Sequence, residues 1–258
     1  MPTTGRSPEP RFEPDGLPHC SDCGGARVVY QPPGEGEITG QLVPCPACRA
    51  LVQRQRRIAR FRRRQARVHA YTQRAGRYPY QTFETFREVP GAPSVREAYV
   101  AARRFAQTLD GWLVLYGAKG VGKSHLAAAV SNYQESRPEE ERLLTLFFVV
   151  PALLDLLRSG YRAGDYAELL ELCLACELLI LDDLGAEQET DWAAEKLFVI
   201  LNHRYQTELP TLIVTNCRLT DLDARLYDRL SEDGFVKRVG VIAPSYRQRI
   251  SNPGAIVQ

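Results

Sequence analysis

The sequence predicts an α/β protein in which a parallel sheet is covered by helices on both faces. From residue 95 onward, apolar segments of five to seven residues alternate with longer segments of helical character. Short apolar runs between helices are typical of parallel strands that are buried on both faces. The hydrophobic fraction of 44% and the charged fraction of 25% lie in the globular range, which excludes a fibrous or disordered chain.

The elements of this sheet alternate along the chain. Strands are predicted from runs of aliphatic and aromatic residues at 112–116, 144–150, 178–182, 212–216 and 239–243. Helices are predicted in the longer segments at 95–107, 123–135, 151–158, 165–176, 190–206 and 221–230. The apolar runs are too short to cross a bilayer, and the opening residues are polar and rich in proline. We therefore expect a cytoplasmic protein with no membrane partner.

The chain divides into four segments of different composition. Residues 1–18 contain five prolines and are expected to form a flexible tail. A compact module is predicted at 19–49, an Arg-rich helical linker at 50–77, and the α/β domain at 78–258. The net charge of +2 combines +8 in residues 1–80 with −6 in the remainder. Because Arg49 to Arg77 contains eleven arginines and no acidic residue, we expect an anionic partner there, either DNA or an acidic protein surface. A solvated helix face is the alternative.

A glycine-rich loop follows the first strand of the predicted sheet. GAKGVGKS at 117–124 fits the pattern G-x-x-x-x-G-K-[ST] and lies between an apolar strand and a helix. In such a loop, backbone N–H groups surround the phosphates, the lysine reaches the β- and γ-phosphates, and the hydroxyl holds Mg²⁺. The sequence therefore predicts an ATP site with Mg²⁺, formed by Gly117, Ala118, Lys119, Gly120, Val121, Gly122, Lys123, Ser124 and His125.

Two carboxylates end the third strand of the predicted sheet. LLILDDLG at 178–185 delivers Asp182 and Asp183 to the carboxyl edge, where ligands bind in sheets of this kind. We expect Asp182 to hold Mg²⁺ together with Ser124, and Asp183 to act on the attacking water as a base or orienting group. A solvated acidic turn is the alternative, but the upstream phosphate loop favours the catalytic interpretation.

Two cysteine pairs lie in the compact module. C-x-x-C motifs begin at residues 20 and 45, and the segments between them read as two strands joined by a Pro/Gly turn. An odd total of seven cysteines argues against a disulfide framework. The pattern predicts a structural Zn²⁺ held by Cys20, Cys23, Cys45 and Cys48. A further pair, Cys173 and Cys176, lies in an apolar helical stretch and is interpreted as core thiols.

The chain resembles the helicase-loader branch of the AAA+ ATPases, the DnaC/DnaI and IstB-like proteins. The matching stretches run in the order of that family from Tyr78 to Arg249, and include YPYQTFETF, the phosphate loop, DDLGAE, ELPTLIVTN and SYR. The joint occurrence of the last three is specific to this branch. The resemblance implies a three-layer P-loop AAA+ fold, here preceded by a zinc ribbon or knuckle module and an Arg-rich helix. Since the chain ends eleven residues after Arg247, most of the helical lid is expected to be absent.

The resemblance also implies further site residues. Asn216 matches the sensor that orients the attacking water. Arg229 matches the arginine finger that reaches the nucleotide of a neighbouring subunit, and Arg225 is the alternative. Arg247 matches the second sensor arginine, which contacts the phosphates of the nucleotide bound to its own subunit.

Taken as a family member, the chain is expected to be a slow, switch-type ATPase. It would deliver a DnaB-like replicative DNA helicase onto single-stranded DNA, self-associate through the nucleotide interface, and dock the helicase through the zinc module. The first alternative is an IstB-type helper that binds and remodels duplex DNA for a transposase. The others are a zinc-ribbon nucleic-acid-binding protein with an inactive ATPase core, and a small-molecule kinase.

Overall fold

The computed structural model describes residues 19–33, 39–49, 52–53, 59, 80–185 and 190–246. The chain forms two compact units, Met1–Arg63 and Arg64–Gln258. The predicted tail at 1–18 lies outside the described residues, as does most of the Arg-rich linker. No helix within the described ranges is long and apolar enough to cross a membrane.

The first unit contains a two-stranded antiparallel sheet of β1 (Val28–Gln31) and β2 (Gln41–Pro44). One C-x-x-C motif precedes β1, and the other follows β2. Because the two strands are antiparallel and paired along their whole length, the start of β1 lies beside the end of β2. The Cys45 N–H donates to the carbonyl oxygen of Arg27 at 2.9 Å, which extends this pairing into the second motif.

The second unit is built on a five-stranded sheet in which all strands are parallel. The strands are β3 (Trp112–Gly117), β4 (Thr145–Val149), β5 (Leu178–Leu184), β6 (Thr211–Thr215) and β7 (Val236–Val241), in the spatial order β4-β5-β6-β3-β7. Every residue of β6 and all but one of β5 are buried, as expected for strands covered on both faces. The predicted α/β class is confirmed.

The helices of this unit are α1 (Pro93–Thr108), α2 (Lys123–Ser136), α3 (Val150–Ala163), α4 (Tyr166–Ala175), α5 (Asp191–Gln206) and α6 (Ala224–Leu230). Local sequence explains several of their ends. The Thr190 hydroxyl caps α5 by accepting from the Ala193 N–H at 3.2 Å, and Gly164 ends α3 in the left-handed conformation at φ +86°. In the interior, α1 packs against α2 and β7, while α4 packs against α3 and α5.

The last strand differs from its prediction. It covers Val236–Val241 rather than 239–243, because its register against β3 runs from the Trp112–Val236 pair to the Gly117–Val241 pair. Ile242 leaves the sheet and is 80% exposed. Two helices also differ, since α3 continues to Ala163 and α6 begins only at Ala224, after a short 3₁₀ turn.

Arg204 is a buried structural residue that the sequence pattern does not reveal. Its side chain is fully buried on α5, where a last-turn arginine would ordinarily remain in solvent. It donates to the carbonyl oxygens of Cys176 at 2.8 Å and Pro210 at 2.7 Å, and to the Thr211 hydroxyl at 2.9 Å. Burial lowers the pKa of this guanidinium. Arg204 therefore joins the end of α4 to the start of β6.

Candidate nucleotide and metal sites

The phosphate loop connects β3 to α2 as predicted. β3 ends at Gly117, α2 begins at Lys123, and Gly122 precedes the helix with φ +101°. This places the N-terminus of α2, with its free N–H groups, at the carboxyl edge of the sheet. Val121 is buried beneath the loop.

Each of the three loop glycines faces a different neighbour. A Cβ on Gly117 would collide with the carbonyl oxygen of Val241, and one on Gly120 with the hydroxyl of Ser245. A Cβ on Gly122 would lie 2.9 Å from the ring of Phe86. All three also have positive φ values, which favour glycine.

Lys123 is buried at the centre of the loop, with 4% of its surface exposed. Its ammonium donates to the carbonyl oxygens of Gly117 and Ala118, both at 2.7 Å, and to Oδ1 of Asn216 at 2.8 Å. Burial lowers the pKa of Lys123 to about 8, although Asp182 and Asp183 favour the charged form. The ammonium is thus held inside the loop by neutral oxygens, from which phosphate oxygens could displace it.

Ser124 and Asp182 form a pair of oxygen ligands at the start of α2. The Ser124 hydroxyl donates to Oδ1 of Asp182 at 2.9 Å, and Asp182 is 3% exposed. Burial raises the pKa of Asp182, and the hydrogen bond from Ser124 partly offsets this. A hydroxyl and a carboxylate at hydrogen-bonding distance fit the oxygen-rich coordination of Mg²⁺ beside phosphates.

Asp183 adopts an unusual backbone conformation with φ +64°. The pairing of β5 with β6 is shifted between Leu181 and Leu184, and a local irregularity of this kind re-aims side chains at the end of a strand. The Asn216 amide donates to Oδ1 of Asp183, while its carbonyl oxygen accepts from Lys123. The structure therefore brings together Lys123, Ser124, Asp182, Asp183 and Asn216.

His125 lies on the first turn of α2 and contacts the segment that precedes α1. Its Nε2 lies 2.9 Å from the carbonyl oxygen of Thr82 and 3.3 Å from the Thr85 hydroxyl. Phe86 packs edge-on against the imidazole, with ring centroids 5.2 Å apart. The TFETF stretch therefore packs against the start of α2, directly after the phosphate loop. The sequence places this stretch at the start of the α/β domain but does not predict that contact.

The two candidate arginine fingers lie on α6, in contacts within the chain. Arg229 pairs with Asp228 at 2.6 Å and approaches Oδ1 of Asn202 at 3.4 Å. Arg225 pairs with Asp223 at 3.2 Å and with Glu195 at 3.3 Å. Neither is brought to the loop of its own chain by a hydrogen bond. Arg247 lies outside the described residues.

The four N-terminal cysteines converge in the first unit. All four Sγ atoms lie within 4.8 Å of one another, and the Cys20–Cys45 and Cys23–Cys48 sulfur distances are 3.8 and 3.9 Å. Tetrahedral Zn²⁺ with bonds of about 2.3 Å places its sulfur ligands about 3.8 Å apart. Burial and hydrogen bonds from neighbouring thiols raise the pKa of Cys48 to about 12, and a bound cation would favour its thiolate form. The chemistry and spacing of this donor set fit zinc.

Comparison with known families identifies the α/β unit. The family model described as IstB-like ATP binding protein matches residues 49–241, about three quarters of the chain. The chain belongs to the IstB-like ATP-binding proteins. It is therefore a member of the AAA+ P-loop ATPases, a class in which the loop and paired carboxylates described above form a nucleotide site.

Curated relatives of this IstB-like protein include two helicase loaders. The chain is 31% identical to the replicative helicase loader DnaI of Bacillus subtilis (strain 168) over 105 residues, which cover 40% of the chain and 32% of the relative. It is 25% identical to the replicative helicase loader DnaC of Escherichia coli (strain K12) over 134 residues, covering 51% and 54%. The matched segments thus span about a third and about half of these relatives.

Solved structures have the same fold. The crystal structure of the DnaC helicase loader superimposes with a TM-score of 0.52 at 26% identity, covering 65% of the chain and 99% of that structure. Domain III of the Thermotoga maritima initiation protein DnaA superimposes with a TM-score of 0.56 at 24% identity, covering 66% and 70%. The second likeness concerns the fold alone.

Proposed function

We propose that this IstB-like protein is an ATP-dependent loader that delivers a replicative DNA helicase onto single-stranded DNA. The observation that carries the proposal is the convergence of Lys123, Ser124, Asp182, Asp183 and Asn216 at one edge of the sheet. The names of the DnaI and DnaC relatives favour a loader over the transposase helper. ATP binding and slow hydrolysis would act as the assembly and release switch.

The proposed roles of the site residues follow from their contacts. Lys123 would exchange its carbonyl partners for the β- and γ-phosphates, since charged acceptors form the stronger hydrogen bonds. Ser124 and Asp182 would hold Mg²⁺, which supplies charge compensation for the phosphates. Asp183 and Asn216 are bonded to each other and would together orient the attacking water. Arg247 would contact the phosphates of the nucleotide that is bound to its own chain, as the family resemblance implies.

Contact with single-stranded DNA is supported by a surface at the α3–α4 elbow. Tyr161 is 52% exposed, and its ring stacks on Tyr166 with centroids 3.9 Å apart. The Arg158 guanidinium lies 4.9 Å from the centroid of Trp192, and the Lys196 ammonium lies 5.7 Å from that of Tyr166. Exposed aromatic faces combined with cations are the features that bind unpaired bases and their phosphates.

Docking of the helicase is assigned to the first unit. We propose that the chain begins with a tail at 1–18, followed by the zinc-binding module at 19–49. A linker at 50–77 then leads to the ATPase domain at 78–258. With Zn²⁺ bound by its four cysteines, the module would present the β1–β2 ribbon, on which Tyr30 and Leu42 are directly paired and are 64% and 70% exposed. Exposed apolar side chains on a rigid ribbon suit contact with a protein.

Self-association would require Arg229 to leave its partners within the chain. Its contacts are one exposed ion pair, one long hydrogen bond to Asn202 and the ring of Tyr205, whose centroid lies 5.1 Å from the guanidinium. Exposed ion pairs of this kind contribute little to stability. Arg225 is held by two carboxylates and stacks on the ring of Phe198 at 4.3 Å. Both arginines contact an aromatic ring, but Arg229 pairs with one carboxylate and Arg225 with two, which favours Arg229 as the residue that reaches a neighbour's nucleotide.

Helicase loading on coated DNA tests the function directly. The full chain, the replicative helicase of the same organism and ATP are added to circular single-stranded DNA covered by single-strand-binding protein, and unwinding is measured. We expect unwinding to require both the chain and ATP, and Asp183→Asn to capture the helicase without releasing it. Helicase activity that is independent of the chain would contradict the proposal. Stimulation of a transposase on duplex DNA would instead favour the transposition helper.

Mixing of two inactive variants tests the role of Arg229. Arg229→Ala is expected to bind ATP normally but to lose hydrolysis stimulated by self-association. Mixed with Lys123→Ala, it should regain part of that activity, because each variant supplies the group that the other lacks. Arg225→Ala is the matched control and should keep stimulated hydrolysis. If the mixture associates but stays inactive, Arg229 does not act between subunits.

A further inference from the structure

The segment after β7 is fixed at both ends. At Ile242, the Ser94 hydroxyl donates to the carbonyl oxygen and accepts from the N–H, both at 2.9 Å. At the other end, the Tyr246 N–H donates to the carbonyl oxygen of Gly120 at 2.8 Å. Residues 242–246 therefore run from the start of α1 to the phosphate loop.

Ser245 lies directly against this loop. Its hydroxyl occupies the space into which a Cβ on Gly120 would project, so the glycine permits the close approach of the two segments. The side chain is half-buried. The Ser245 hydroxyl makes no hydrogen bond to any residue that the structure describes.

Among the described residues, no structural contact depends on this hydroxyl. The end of β7 is already secured by Ser94, and the contact with the loop is made by the backbone of Tyr246. A half-buried hydroxyl next to the loop is available to donate a hydrogen bond to a ligand. Beside a loop whose free N–H groups surround phosphates, the partner with suitable chemistry is a phosphate oxygen.

We propose that the Ser245 hydroxyl donates a hydrogen bond to the α- or β-phosphate of the bound nucleotide. This inference rests on the proposed ATP-dependent function and assigns a further contact residue to the same site. Gly120 lies three residues before Lys123, within the part of the loop that surrounds the α- and β-phosphates, whereas the lysine reaches toward the γ-phosphate. The segment that precedes Arg247 would thereby respond to the presence of a nucleotide.

Nucleotide affinity and thermal stability together test this role. In the full chain, Ser245→Ala should weaken the binding of ATP and ADP alike by about tenfold, the effect of losing one hydrogen bond to a charged group. The midpoint of thermal unfolding without nucleotide should stay the same, because no described residue bonds to the hydroxyl. Titration with fluorescent ATP and ADP analogues measures the first quantity, and a melting curve the second.

Ser94→Ala is the matched control, because it releases the other end of the same segment. It removes two hydrogen bonds within the protein and should lower the melting temperature. Unchanged nucleotide affinity in Ser245→Ala would overturn the inference. So would a melting temperature lowered as far as in Ser94→Ala, which indicates a structural role, or a loss confined to ATP, which indicates the γ-phosphate. A wild-type chain that binds no nucleotide would overturn the proposed function, and this inference with it.

Discussion

The two compact units of this IstB-like protein are stabilised by different means. The α/β unit has a continuous core in which residues such as Leu115, Ile180 and Val214 are fully or almost fully buried. In the first unit, Cys45 and Cys48 alone are buried among the described residues, while the strands on either side remain largely exposed. A core of that size cannot offset the loss of conformational entropy. We therefore expect the first unit to depend on a ligand for its fold and the α/β unit to fold without one.

Loss of the thiol cluster should produce the largest difference between the two units, because it should unfold only the first. With Cys45→Ser and Cys48→Ser together, residues 19–49 are expected to unfold completely, because metal binding supplies their folding free energy. Binding of ATP by the α/β unit should change by less than about twofold, as expected for independent sites. The measurements are zinc content, amide hydrogen exchange in the first unit and ATP affinity.

Cys173→Ser with Cys176→Ser is the matched control, since it removes the other C-x-x-C pair and should leave the zinc content at one ion per chain. A wild-type protein without zinc would contradict the metal assignment. A thiol variant that keeps the exchange protection of β1 and β2 would contradict the dependence on a ligand.

Removal of the loop ammonium should affect the other unit alone. Lys123→Ala is expected to weaken ATP binding by about 100-fold or more, because a buried charge facing the phosphates is lost. The zinc content should be unchanged. Lys237→Ala is the control, as its ammonium pairs with Glu97 on the surface. Calorimetric titration measures both affinities, and equal affinities in the two variants would remove Lys123 from the site.

Replacement of Arg204 tests how much buried hydrogen bonds, besides apolar burial, contribute to the stability of the α/β unit. Arg204→Met should lower the free energy of unfolding by about 3–5 kcal/mol, because buried carbonyl oxygens lose their donors. Arg137→Met is the control, since its exposed ion pair with Glu141 contributes at most about 1 kcal/mol. Denaturant unfolding of both variants gives the difference. Equal losses would mean that the buried guanidinium has no special structural role.

The pH should affect the two sites in opposite directions, with the smallest effect expected at the loop. The pKa of Lys123 is about 8 in the free site, and bound phosphates raise it. ATP affinity is therefore complete below pH 8 and falls above it, by up to about tenfold per pH unit. Zinc affinity instead falls as the pH is lowered, because protons compete for the thiolates.

Calorimetry in two buffers of different ionisation enthalpy would detect the expected proton uptake by Lys123 on ATP binding above pH 8. Lys123→Arg keeps its charge throughout this range and should lack that uptake. An uptake that persists in Lys123→Arg would assign the titration to another group.

Sequence patterns predict the strand order along the chain and most residues of the nucleotide site, because these depend on local signals. The apolar run before GAKGVGKS and the carboxylates after LLILDDLG are readable without tertiary information. Whether the predicted roles of these residues hold is a matter for the experiments above. The zinc ligands are likewise read from spacing, and their convergence in the structure supports that prediction.

Features that depend on contacts between distant segments are not predictable in this way. The limits of β7 are set by its register against β3, so the apolar run at its end misplaces the strand. The positive φ of Asp183 arises where the pairing of β5 with β6 is irregular. Arg204 has the sequence signature of an exposed helix end, and only the convergence of α4 and β6 around it explains its burial.

The neighbours of the three loop glycines determine how this loop can vary among related proteins. Replacement at Gly117 meets a backbone oxygen, so no change of side chain elsewhere can make room for it. Replacement at Gly120 or Gly122 meets the side chains of Ser245 or Phe86, either of which a second mutation could shorten. The left-handed strain is common to all three positions and does not distinguish them. In an alignment of relatives, position 117 should therefore be invariant, while 120 should covary with 245 and 122 with 86.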